Sequence, residues 1–114
     1  MPYIHCSTNR DLGEEVKEKM LECFVRNITL LSGKKPESTM VEISDRSKMM
    51  FGLDQTNCMM IQVELFMQSS KEDKLAFTES VLKEIAGICG VPLARIYLTF
   101  TEHDNWGKDG RLRI

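Results

Sequence analysis

The sequence predicts an α/β protein, a two-layer sandwich in which two β-α-β repeats form a four-stranded sheet with two helices on one face. Strand-like and helix-like hydrophobic periods succeed one another in the order β-α-β and again β-α-β. Each helical segment ends at a glycine with a proline close behind, first at Gly33 and Pro36, then at Gly90 and Pro92. A length of 114 residues fits a single domain, residues 1–114, so both repeats are expected to share one core.

The first repeat begins with a predicted strand at residues 3–8, which turn-forming residues follow. From about Gly13 to Leu31, apolar side chains recur at helical spacing. Glutamates lie on the other side and in the first turn, where the helix dipole favours them. Residues 39–44 are the second predicted strand, and a short extended piece is expected at residues 49–52.

The second repeat begins with the longest apolar run of the chain, residues 58–67, whose polar flanks favour a central strand. Ser69 or Ser70 can cap the second helix, because an acidic residue follows each of them three positions later. The alternation of residues 95–101 predicts the fourth strand. The remaining tail is polar and rich in glycine around Trp106.

Composition limits the partners that this chain is expected to have. Hydrophobic residues make up 42% and charged residues 28%, which is typical of a globular domain, and the net charge of −2 with interspersed signs favours no nucleic-acid-binding face. No apolar run approaches the roughly 20 residues that span a bilayer, so no membrane partner is expected. The N-terminus lacks a secretory pattern, which predicts a cytoplasmic protein or one released without a signal peptide.

Cysteine and histidine spacing predicts neither a metal site nor a cofactor site. The four cysteines form no CxxC or CxxH pair and lie among apolar residues, so free thiols in a reducing compartment are expected. His5 and His103 stand alone, and the eight methionines are interpreted as core residues that fill gaps.

The predicted strands carry more apolar side chains than one covered face of a sheet can use. A two-layer domain with such a surplus needs a partner surface, so the chain is expected to form an oligomer through its sheet. The side chains behind this expectation are Met40, Ile43, Met60, Ile61, Leu65, Phe66 and Ile96.

The dipeptide Met1-Pro2 offers an uncommon reagent if the methionine is removed, as small second residues generally permit. Pro2 would then carry a free secondary amine on a rigid ring at the start of a strand. Burial or a nearby cation would lower the pKa of this amine and allow it to act as a general base near neutrality. The alternative is that Pro2 is an ordinary terminal residue.

A set of short motifs runs along the whole chain in the order found in one known family. The motifs are Met1-Pro2, Thr8-Asn9, Gly33-Lys34, Met50-Phe51-Gly52 with Cys58 shortly after, Val91–Tyr97, and Asn105-Trp106-Gly107 with Gly110. On these residues the chain resembles the macrophage migration inhibitory factor family of the tautomerase superfamily. The resemblance implies two β-α-β repeats assembled as a homotrimer with active sites at subunit interfaces.

The same resemblance implies roles for individual residues. Pro2 would be the catalytic base in the keto-enol tautomerisation of phenylpyruvate-like α-keto acids, and no cofactor would be needed. Lys34 would hold the substrate carboxylate, although a lysine at the end of a helix also interacts with the dipole. Tyr97 would be an aromatic wall from the neighbouring subunit, or an ordinary strand tyrosine, and Trp106 either rims the pocket or anchors the tail.

Several pocket positions depart from the family pattern, Phe66 and Thr99 among them. Phe66 stands where the family has a smaller aliphatic residue and is expected to narrow the pocket, and Thr99 replaces an asparagine whose amide polarises a carbonyl. Three functions therefore stay open: a tautomerase, a leaderless cytokine-like protein that binds a receptor with vestigial catalysis, and an inactive trimeric relative.

Overall fold

A computed structural model describes residues 1–114. Its elements are β1 (Pro2–Thr8), α1 (Glu14–Asn27), β2 (Met40–Ser44), β3 (Met59–Phe66), α2 (Lys71–Cys89), β4 (Ile96–His103), β5 (Trp106–Lys108) and β6 (Arg111–Arg113). Single 3₁₀ turns lie at Ile28–Leu30, Pro36–Ser38 and Leu93–Arg95. No helix is both long and apolar enough to span a lipid bilayer.

The main sheet has the strand order β2-β1-β3-β4. Strands β1 and β2 are parallel, as are β3 and β4, because a helix crosses over between the members of each pair. The two pairs meet along β1 and β3, which run antiparallel and place Pro2 opposite Leu65. The predicted pair of β-α-β repeats in one four-stranded sheet is therefore confirmed.

The two helices begin and end for different local reasons. The side chain of Ser70 accepts a hydrogen bond from the amide of Asp73 at 3.1 Å and caps α2, and Gly90 ends that helix in the left-handed region, with φ of 76°. Helix α1 is shorter than predicted. It ends at Asn27 instead of Leu31, and the chain continues as a 3₁₀ turn. The Asn27 side-chain amide donates to the Cys23 carbonyl at 2.8 Å, and such bonds compete with the backbone ladder of the last turn.

Both helices pack on one face of the sheet and enclose a core of 18 buried residues. Leu65 and Ile61 of β3 are fully buried there, next to Phe24 of α1 and Phe77 of α2. Burial alternates strictly along β1 and β3, as expected for a sheet with only one covered face.

The prediction that the strands carry surplus apolar side chains on the open face of the sheet is wrong. Ile61, Leu65 and Ile96 are buried on the helix side and Ile43 packs against the core, so only three of the seven residues face outward. The neighbours of those three on the open face are mostly polar, namely Tyr3, His5, Ser7, Glu42, Gln62, Glu64, Thr99 and Thr101. Oligomerisation stays a prediction, and the apolar surplus no longer supports it.

The tail forms a hairpin that sequence analysis missed. Strands β5 and β6 pair antiparallel, with Trp106 opposite Arg113, and only Asp109 and Gly110 connect them. Both connecting residues have positive φ, 53° and 73°, which is the geometry of the tight turns that suit the twist of a hairpin. The Asp-Gly pair is a recognised signal for such a turn, but the flanking strands are only three residues long and carry no clear alternation.

Candidate active site at the start of the first strand

Pro2 lies at the end of an inner strand, where its position is fixed from both sides. β1 is flanked by β2 and β3, and Pro2 is buried opposite Leu65. Met1 is half-buried just outside the sheet. A reagent at this position sits on the rigid part of the fold, which is the arrangement that holds a reacting group in a constant geometry.

Lys34 reaches this end of the sheet from the segment after α1. Its ammonium donates a hydrogen bond to the backbone carbonyl of Phe66 at 2.7 Å, one residue beyond the partner of Pro2. An ammonium has three donors, so the two others stay free for a ligand. Burial lowers the pKa of Lys34, and the carboxylate of Glu102 partly opposes that effect.

The α-amine of the chain shows what this environment does to a basic nitrogen. Burial, followed by the positive charges of Lys34 and Lys108, lowers the pKa of the Met1 amine. Desolvation and like charge both disfavour the protonated form, so a nitrogen here gives up its proton more readily than in water. Environments of this kind are typical of groups that serve as general bases near neutral pH.

Lys108 is a functional candidate that sequence analysis missed. It lies on β5 of the tail hairpin, and only the folded hairpin brings its charge near the chain terminus. Trp106 lies on the same strand, and its ring packs edge-on against the ring of His103 with centroids 5.7 Å apart. Because His103 pairs with Phe66, the hairpin stands beside the Pro2 end of the sheet.

One carboxylate near Lys34, that of Glu102, is paired with a lysine of α2. Glu102 accepts hydrogen bonds from the Ser69 amide at 2.6 Å and from the Lys74 ammonium at 3.0 Å. Both bonds lower the pKa of Glu102, so it remains ionised. Since Lys74 already neutralises this carboxylate, the positive field of Lys34 and Lys108 is left available to an incoming anion.

Phe66 contributes its backbone carbonyl and its ring to this end of the sheet in different ways. Its carbonyl binds Lys34, while its half-buried ring follows the alternation of β3 onto the open face, opposite the buried Leu65. The structure therefore gathers Pro2, Lys34, Phe66 and Trp106 at one end of the sheet.

Tyr97 and Thr99 do not join this group within one chain. Tyr97 pairs with Met60, five residues along β3 from the partner of Pro2, which corresponds to about 17 Å at strand spacing. Thr99 pairs with Gln62 and is exposed on the open face. Tyr97 is also 61% exposed, so both side chains are available to a neighbouring molecule.

No group of three or more His, Cys, Asp or Glu side chains is placed to hold a metal ion together. All four cysteines are free and buried.

Comparison with known proteins identifies the fold. No protein-family model matches the sequence, and no curated protein matches it either. Among solved structures, Leishmania major MIF2 is similar over 99% of this chain and 97% of its own, with a TM-score of 0.91 and 18% identity. The macrophage migration inhibitory factor-like protein of Entamoeba histolytica is similar over 98% of both chains, with a TM-score of 0.86 and 21% identity.

A third similar structure is that of Pt0534 inactivated by 2-oxo-3-pentynoate, with a TM-score of 0.84 and 19% identity over 95% of this chain and 93% of that one. At these identities the likeness shows the fold. The chain therefore has the fold of macrophage migration inhibitory factor, which confirms the architecture that the sequence motifs implied.

Proposed function

We propose that this chain is a keto-enol tautomerase of phenylpyruvate-like α-keto acids, with Pro2 as the general base once Met1 has been removed. The observation that carries the proposal is the lowered pKa of the α-amine at this end of the sheet. Pro2 directly follows Met1, so its nitrogen, once free, would lie close to the same positive charges of Lys34 and Lys108.

The reaction moves one proton and one electron pair. Unprotonated Pro2 nitrogen takes a proton from the carbon next to the ketone of the substrate, and the electron pair of that C–H bond forms the carbon–carbon double bond of the enol. The ketone oxygen gains the negative charge and then a proton. That proton is the one held by Pro2, which passes it to the enolate oxygen directly or through one water, so the Pro2 amine is free again after each turnover.

Lys34 is the proposed anchor for the substrate carboxylate. Its two free N–H donors and its position next to Pro2 suit a charge-assisted hydrogen bond to that anion. Lys108 adds a second positive charge from the hairpin, which favours anionic substrates and helps to keep the Pro2 amine unprotonated.

The remaining wall of the site is proposed to come from a second copy of the chain in a homotrimer. Tyr97 and Thr99 lie too far from Pro2 to line the same pocket within one molecule, and both are exposed near the free edge of the sheet. Sedimentation at micromolar concentration tests this assembly, and a stable monomer would contradict it.

One structural neighbour supports the substrate class. Pt0534 is inactivated by 2-oxo-3-pentynoate, which is an α-keto acid with a triple bond beside its ketone. A small α-keto acid therefore reacts within this fold, and the cationic end of the present chain suits the same carboxylate.

A steady-state assay with phenylpyruvate tests the proposal. Pro2→Gly keeps a terminal amine but loses the rigid ring, and Lys35→Met, next to Lys34 and exposed, is a control that should leave the rate unchanged. Loss of a positioned general base typically lowers rates by about 10²–10⁴-fold, so a drop towards this range is expected for Pro2→Gly. Wild-type protein that fails to accelerate phenylpyruvate tautomerisation would contradict the proposed function.

The second candidate is a cytokine-like binding protein that acts on a receptor after release without a signal peptide. The Leishmania and Entamoeba neighbours, which are named after macrophage migration inhibitory factor, favour it, as do the altered residues Phe66 and Thr99. Back-substitution separates the two candidates. If Thr99→Asn and Phe66→Ile raise a weak tautomerase activity severalfold, the pocket is an active site. If neither the wild type nor these variants show activity, the binding protein is favoured.

A further inference from the structure

The far end of the sheet from Pro2 holds a cavity of about 200 Å³. Its lining comes from the connection before β3, from the start of β3 and from the start of β4. The lining residues are Met49, Met50, Phe51, Gly52, Cys58, Met59, Met60 and Tyr97. Five of these eight carry sulfur, including four of the eight methionines in the whole chain.

We propose that this cavity binds a soft monovalent metal ion of the Cu(I) class through methionine thioethers and the thiol sulfur of Cys58. Soft sulfur ligands select such ions, whereas imidazole and carboxylate suit harder ones. The lining contains no histidine and no carboxylate, so its donor set excludes a site for Mg²⁺ or Ca²⁺. The proposed ligands are distinct from Pro2 and from the lysines around it, and only Tyr97, a wall of the cavity, is also assigned to the substrate pocket of a neighbouring copy.

Cys58 is held in place by bonds to its backbone on both sides. The hydroxyl of buried Thr8 donates to the Cys58 carbonyl at 2.7 Å, and the Cys58 amide donates to the side-chain oxygen of Asn9 at 2.9 Å. The Cys58 residue itself is 2% exposed. A sulfur fixed in this way can act as a constant ligand while flexible thioethers adjust around the ion.

The segment that carries Met49 and Met50 is also anchored. Phe51 forms a bridge with Asp54, the guanidinium of Arg95 stacks over the Phe51 ring at 4.8 Å, and Arg95 binds Asp54 at 2.8 Å. The Phe51 and Tyr97 rings meet with centroids 4.9 Å apart and form one wall of the cavity. Met50 is 62% exposed, so its side chain is accessible to an ion that approaches the cavity from solvent.

The other three cysteines do not compete for the ion. Burial raises the pKa of Cys6 and of Cys23 to about 12 and raises the pKa of Cys89, so these thiols stay protonated within the core. None of them lines the cavity.

The simplest alternative is that the methionines only fill an apolar gap or receive a small apolar molecule. Met→Leu substitutions separate these interpretations, because leucine keeps the apolar volume and removes the sulfur. An apolar cavity would retain its ligand in such variants, while a metal site would lose affinity.

The test uses the reduced protein and Ag(I), which is soft, monovalent and inert to oxidation in air. With methionine methyl groups labelled by ¹³C, Ag(I) should shift the methyl signals of Met49, Met50 and Met60, and calorimetry should give one ion per chain. The signals of Met20 in the core and of exposed Met40 and Met67 should stay in place. Equal shifts at Met40 and Met67 would show adventitious surface binding and overturn the proposal.

Variants measure what each ligand contributes. Even groups that only support a metal ligand change affinity by about 10–100-fold, so Met60→Leu and Cys58→Ser should each weaken Ag(I) binding by at least about tenfold. Met40→Leu is the matched control and should bind Ag(I) as the wild type does. The proposal is also overturned if Met49→Leu, Met50→Leu and Met60→Leu combined leave the affinity unchanged, since the binding then needs only the Cys58 thiol. Circular dichroism and a thermal scan confirm that each variant is folded.

Discussion

Replacing Lys34 by methionine removes the positive charge next to Pro2 and keeps most of the apolar stem. In the proposed site the ammonium donates to the Phe66 carbonyl and to the substrate carboxylate. Hydrogen bonds that involve a charged group contribute about 1.5–3 kcal/mol, so losing the bond to the substrate should lower kcat/KM by about 10–150-fold. The acid limb of the rate–pH profile should also move to higher pH, because a nearby cation no longer disfavours the protonated amine.

The stability of the Lys34→Met variant should hardly fall. Burial lowers the pKa of Lys34, so the folded chain binds this proton less tightly than the unfolded chain does. At neutral pH the charge therefore costs stability, and the cost decreases only as pH rises through the folded pKa towards the ordinary lysine value of about 10.4. This gain opposes the lost bond to the Phe66 carbonyl, and we expect a net change within about 1 kcal/mol.

Three measurements together test this reasoning. Urea unfolding measures the free energy of unfolding, and a rate–pH profile measures the pKa of the Pro2 amine. A methyl ester of the α-keto acid lacks the carboxylate charge, so it isolates the contribution of Lys34 to binding that carboxylate. The ester should react almost equally with the wild type and with Lys34→Met, and Lys35→Met is the neighbouring control. An unchanged kcat/KM for the free acid in Lys34→Met would refute the role of Lys34.

Three further predictions concern the helix pair and the hairpin. Asn27→Leu removes the bonds of Asn27 to Cys23, Glu84 and Ser80 and should lower the free energy of unfolding by about 1–2 kcal/mol in urea titration, after allowing for the apolar area that leucine buries. Hydrogen bonds from Arg26 and Asn27 hold the pKa of Glu84 at about 2, so its contribution is complete above about pH 4.3 and is lost as pH falls through the folded value. Glu84→Gln should accordingly cost about 1 kcal/mol or less near neutrality, and its difference from the wild type should disappear by about pH 2. Gly110→Ala forces alanine to a φ of +73° and should reduce kcat/KM by displacing Lys108, while Gly107→Ala, at ordinary φ, should not.

The β-α-β repeats were predictable because their signals are local. The apolar run of β3, a serine cap and the glycine at Gly90 each act within a few residues. The sequence correctly predicted the strand and the helix end at Gly90, and it narrowed the cap to Ser69 or Ser70, of which the structure uses Ser70. The direction in which a strand presents its side chains was harder to predict. Ile43 and Ile96 belong to the covered face because of the pairing register, which sequence period alone does not determine.

The candidate site was predictable only in part. Pro2 and Lys34 were found through short motifs, and the structure places them together. Lys108 was missed because its proximity to the chain terminus depends on a hairpin of two three-residue strands that is far from Pro2 in sequence. The sulfur-lined cavity was missed for a similar reason, since Met50 and Met60 come together only when the connection before β3 folds back.

The most direct test of the central claim compares two forms of the same protein that differ only by Met1. Mass spectrometry identifies the form with a free Pro2 amine and the form in which Met1 makes that nitrogen a non-basic amide. The processed form should catalyse phenylpyruvate tautomerisation, and the form retaining Met1 should be slower by about 10²–10⁴-fold. Equal kcat/KM values for the two forms would contradict the account and remove Pro2 from the mechanism.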